Sequence, residues 1–90
     1  MGLDLVEMVM ELEKEFELDI PDEDLRPMRT VGDFYLYVEQ RLGDAGRITA
    51  TGRCEGELWS RYVAIVERET GVPRVRLRPE AEFYRDLGVG

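Results

Sequence analysis

The sequence predicts an all-α fold, a small helical bundle, on three observations. Apolar residues recur at spacings of three and four in three separate stretches, and glycine and proline fall between those stretches. The one stretch with a period of two has no second strand to pair with. Ninety residues are enough for one hydrophobic core and too few for two, so residues 1–90 are read as a single domain.

Residues 3–16, LDLVEMVMELEKEF, read as the first helix. Leu5, Met8, Val9, Leu12 and Phe16 make its core-facing stripe, and Asp4, Glu7 and Glu11 load its first turns with the charge that suits the positive end of the helix dipole. A second apolar set, Leu3, Val6 and Met10 at i, i+3 and i+7, lies on a different side. Edged by Glu7, Glu11, Glu13 and Lys14, this strip is by its residues alone either a second core face or a docking strip. Ile20-Pro21 closes the unit, and PDEDL at 21–25 suits a short helical turn with Pro21 at its first position.

Thr30 is the expected N-cap of a helix over 31–42, with Asp33 as the reciprocal capping residue. Val31, Phe34, Tyr35, Val38 and Leu42 form its apolar side, and Gly32, about 1 kcal/mol worse than alanine in a helix, is expected to fray the first turn. Residues 43–54, GDAGRITATGRC, read as a linker long enough, at up to about 3.4 Å per residue, to cross the domain. The third main helix spans 55–70 with Leu58, Trp59, Tyr62, Val63, Ile65 and Val66 on its apolar face and Gly71 as its C-cap. The tail is expected to be an extended loop that packs Val75 and Leu77 inward and is anchored by Phe83, Tyr84 and Leu87. Three main helices plus short turns result.

Composition narrows the function. The formal charge is -8, and its distribution is uneven: residues 1–25 carry -9 and residues 26–90 carry +1. Such an acidic segment disfavours nucleic-acid backbones and attracts a basic protein surface. No apolar run reaches the roughly 20 residues of a membrane span, and the N-terminus lacks the order of a secretory signal, so the expected location is cytoplasmic. A lone cysteine, Cys54, makes neither an internal disulfide nor a zinc knuckle. Without histidine, and with Ser60 as the only serine, the chain lacks the commonest general base and nearly every hydroxyl nucleophile. No enzymatic activity, resident metal or cofactor is expected.

GLDLVEMVMELEKEF, from Gly2 through Phe16, resembles the acyl carrier proteins, acidic four-helix bundles with the pattern D-S-L-D-x-V-E-x-V-M-x-L-E-x-E-F at their second helix. The resemblance continues through Ile20-Pro21-Asp22, Thr30-Val31 and Tyr37-Val38, so that residues 2–42 look like family helices II to IV. FYRDLG at 83–88 resembles the F-x-x-D-L-G that in the family immediately precedes the serine, and 55–90 resembles helix I and the first loop. The order is therefore swapped, as in a circular permutant or a domain-swapped dimer, with 43–54 bridging the old termini.

The resemblance implies a carrier-like bundle that has lost its attachment point. The family's phosphopantetheine arm is esterified to a serine hydroxyl, and Gly2 occupies that position with Gly90 at the preceding aspartate. Leu3, Val6, Glu7, Met10, Glu11 and Glu13 correspond to the family's partner-docking surface, which favours the docking reading of the strip. The expectation is a non-catalytic interaction module that meets a synthase or a carrier-modifying enzyme. The alternative is a working acyl carrier in fatty-acid or polyketide-type biosynthesis.

Overall fold

Helix α1 (Leu3–Phe16) opens a computed structural model that describes residues 3–89. Its buried stripe is the expected one: Met8, Val9, Leu12 and Phe16 lie in the core and Leu5 is half-buried. Glu17 ends the helix with φ at 53°, in the left-handed region, which lets Leu18 N–H return to Glu13 O at 3.0 Å. The short helix α2 (Asp22–Leu25) follows, with Pro21 one residue before it at the N-cap. Helix α3 (Val31–Asp44) runs two residues past the expected end, and α4 (Gly56–Thr70) stops at Gly71, whose φ of 76° is open to glycine without strain. The architecture is all-α: among the described residues, the one β feature is an isolated antiparallel bridge between Thr30 and Glu82.

The expected capping box at the start of α3 is present in both directions. Asp33 N–H donates to Thr30 Oγ1 at 2.9 Å, and Thr30 N–H donates to Asp33 Oδ2 at 3.0 Å. The tail completes this helix end by crossing it. Val31 N–H donates to Ala81 O and Gly32 N–H to Pro79 O, both at 2.9 Å, while Phe83 N–H donates to Arg29 O at 3.0 Å. Two first-turn donors that a helix cannot satisfy by itself are thus taken up by loop carbonyls. The expectation of a frayed first turn is overturned for the same reason: Gly32 is buried against Pro79 and its turn is pinned.

Two aromatic groupings hold the elements together. Phe34 of α3 meets Phe83 of the tail edge-on at 5.3 Å between centroids. Tyr35 stands between Trp59 and Tyr62 of α4, at 5.1 and 5.5 Å, and the buried Tyr62 hydroxyl donates to Val31 O at 2.7 Å. Helix α4 also packs along α1.

The tail departs from its expected form. A 3-10 turn at Arg74–Arg76 replaces the extended run, so Leu77 and Phe83 go inward but Val75 is 82% exposed and Tyr84 81% exposed. A period-two pattern assigned Val75 and Leu77 to the same side; a turn of three residues puts them on different sides. The 43–54 linker is also more fixed than its composition implies. Arg47 reaches the carbonyl of Phe16, and the buried carboxylate of Glu39 accepts from Thr51 Oγ1 at 3.1 Å and Gly52 N–H at 2.9 Å.

Candidate functional site

The outer face of α1 is built by the helical period itself. With Met8, Leu12 and Phe16 turned inward, positions 6, 7 and 10 fall on the opposite side, and Val6 and Met10 stand 42% and 54% exposed with Glu7 beside them. Val6 and Met10 are one turn apart, so they form a short continuous strip. Leu3 starts the helix, but its side chain lies outside the described residues, as do Gly2 and Gly90.

The three candidate carboxylates differ in what they already do. Glu7 is exposed and has no ion pair among the described residues. Glu11 is shared between Lys14 Nζ at 3.3 Å and Arg68 Nη2 of α4 at 3.4 Å, so it ties α1 to α4. Glu13 accepts from Ile20 N–H at 2.9 Å and closes the turn after α1. Sequence spacing placed all three at the edge of the strip but could not reveal an acceptor role toward a backbone amide seven residues on. Glu15 is likewise engaged, with Arg61 of α4 at 3.1 Å.

A second feature lies at the inner edge of the same helix. A cavity of about 420 Å³ is lined by Leu5 and Val9 of α1, Leu25 and Met28, Phe34 of α3, and Phe83, Tyr84 and Val89 of the tail; Arg29 and Glu82 are its charged lining residues. Its walls come from both ends of the chain: Leu5 and Val89 face one space. The sequence assigned Leu5, Val9, Phe34, Phe83 and Tyr84 to core or anchor positions but left Leu25, Met28 and Val89 without one, and no linear signal marks a cavity between them.

Elsewhere, polar groups are committed to structure. Burial alone would raise the Glu39 pKa, but donors from Gly52, Thr51 and Tyr35 outweigh it and hold the carboxyl below its ordinary value. Burial and the adjacent Glu39 push the Tyr35 hydroxyl up to about 12. Burial, with the Glu39 and Asp33 charges, raises the Cys54 thiol, which disfavours the thiolate needed for nucleophilic chemistry. The Ser60 hydroxyl accepts from Arg74 Nη2 at 2.6 Å on the exposed side of α4. None of the described helices is long and apolar enough to cross a membrane. No model of a known protein family matches the chain, and no solved structure matches it.

Proposed function

We propose that the chain is an acyl-carrier-like interaction module, circularly permuted, that docks a basic partner through the outer face of α1. The observation that carries this reading is the exposure of Val6 and Met10 beside Glu7, on the helix that opens the segment of charge -9. An apolar strip supplies contact energy, and the surrounding acid steers a basic surface toward it. The shared cavity of Leu5 and Val89 supports the permuted arrangement, because it brings the tail beside the start of α1. The Gly2 position offers no oxygen for a phosphodiester, so the module acts by binding alone.

The test uses a phosphopantetheinyl transferase and coenzyme A. The chain is expected to bind the transferase in a salt-sensitive way, to lose that binding on Met10→Lys, and to show no mass increase. A gain of about 340 Da, the approximate mass of the arm, would overturn the module in favour of a working carrier.

A second reading rests on the cavity: a binder of small apolar molecules in the bundle interior. Its volume falls within the range of ligand pockets, roughly 300–1,000 Å³. Native mass spectrometry of the purified chain would show a co-purifying lipid if this reading holds, and the bare chain alone if it does not.

A further inference from the structure

We infer that the turn at residues 73–78 is a second docking surface, and that its occupant is the outer face of α1 on another copy of this chain, so that copies associate head to tail. The inference rests on the reading of α1 as a face that takes a basic partner, and it names one such partner.

The turn is presented on a fixed backbone. Val72 and Leu77 are buried at either end; Arg74 N–H donates to the Glu67 carboxylate at 2.8 Å, and Arg76 N–H to Pro73 O at 2.9 Å. Between these anchors, Val75 projects into solvent with Arg74, Arg76 and Arg78 around it, and residues 72–79 contain no acid. An apolar side chain already held outward loses little freedom on docking. The guanidinium groups of Arg74 and Arg76 are oriented without an ion pair. Arg74 donates to the Ser60 hydroxyl and Arg76 to the Asp86 carbonyl, both uncharged acceptors, while Arg78 pairs with Glu80 at 3.9 Å and the Glu67 carboxylate is held by the Arg74 amide.

Charge selects the pairing. The α1 face against itself sets acid on acid, and the turn against itself sets arginine on arginine, so neither symmetric dimer is favoured. The unlike pairing matches Val75 to Val6 and Met10, and the arginines to Glu7 and its acidic neighbours. Such an interface leaves one free face of each kind at the ends of every pair, so association continues with concentration.

Sedimentation velocity on the full chain tests this at about 20 mM and about 500 mM salt, conditions that separate weak from strong screening. The wild type should grow in mass with concentration at low salt and return to monomer at high salt. A turn variant, Val75→Ser with Arg76→Glu, and a helix variant, Val6→Ser with Met10→Lys, should each lose self-affinity by about tenfold or more. Mixed together they should form a 1:1 pair that grows no further, since each supplies the face the other lacks.

A wild type that stays monomeric at low salt, a variant that associates like wild type, a mixture that stays monomeric, or growth of the mixture beyond 1:1 would each overturn the inference. All four substituted side chains are exposed, so unchanged helical circular dichroism is expected; should either double variant lose helix, Val75→Ala and Met10→Ala replace them. Transferase binding separates the two levels of the argument. If the turn variant and wild type bind the transferase alike but wild type does not self-associate, the inference fails alone. If Met10→Lys leaves transferase binding intact, the α1 docking reading fails with it.

Discussion

At Gly32 a single hydrogen atom decides how closely the tail approaches α3. A Cβ built there would lie 2.8 Å from Pro79 O, and that oxygen belongs to a backbone held by its own bond from Gly32 N–H. Gly32→Ala therefore sets a gain in helix propensity of about 1 kcal/mol against displacement of a loop that caps the helix. The clash is with backbone, which cannot swing aside as a side-chain tip would, so the loop must move and both capping bonds weaken. We expect Gly32→Ala to destabilise the fold by about 1–2 kcal/mol, measured by urea unfolding, where propensity alone would stabilise it. The same kind of information was beyond the sequence at Glu13 and Val75. Each residue type fits its strip or stripe, but the bond from Ile20 N–H to Glu13 and the three-residue turn at Val75 are set by the local backbone path, which the spacing of apolar residues does not encode.

Among the elements, helices were the legible part because their period repeats over 14 or 15 residues and their ends carry chemical punctuation. Thr30 with Asp33 and Gly71 mark ends that the structure reproduces, and the Met8, Leu12 and Phe16 stripe is buried as its spacing requires. Loops were less legible, since glycine and threonine over 43–54 describe what the chain can do without saying what holds it. What holds it is Glu39, 4% exposed on the inner side of α3, which the heptad-like spacing could mark as misplaced polarity but not as a clamp. Its lowered pKa makes the clamp pH-dependent with a definite sign. Below-ordinary pKa in the folded state means that stability is present above the ordinary carboxyl value of 4.5 and is lost as pH falls through the folded value. Asp33, lowered by the amides of Arg29 and Thr30 against a smaller-than-usual solvation, adds to the same acid limb. Glu39→Gln is expected to cost about 1–3 kcal/mol at neutral pH and to flatten part of that limb, with faster amide exchange at Gly52 as the local signature.

For the whole molecule, Leu5 and Val89 line one cavity, and the proposed permutation predicts what re-joining the chain should do. If the proposed permuted order is right, joining residue 90 to residue 2 should leave the packing of α1 on α4 untouched. The compensating cut belongs between Thr49 and Ala50, two exposed residues that lie between the anchors at Arg47 and Thr51, so that both anchors survive. A chain re-ordered in this way, beginning at Ala50 and ending at Thr49, should keep the helical circular dichroism of the original. Its stability should fall within about 2 kcal/mol of the parent, because one surface loop is opened and another closed at similar length. The same chain carrying Gly90→Asp and Gly2→Ser at the new junction restores the hydroxyl in the carrier-like order. If the scaffold is acyl-carrier-like, the transferase should load it, with a gain of about 340 Da that the unsubstituted junction does not show. A re-ordered chain that folds but accepts no arm at the restored serine would separate the two ideas: ends in proximity, yet a bundle whose likeness to the carriers stops at its helices.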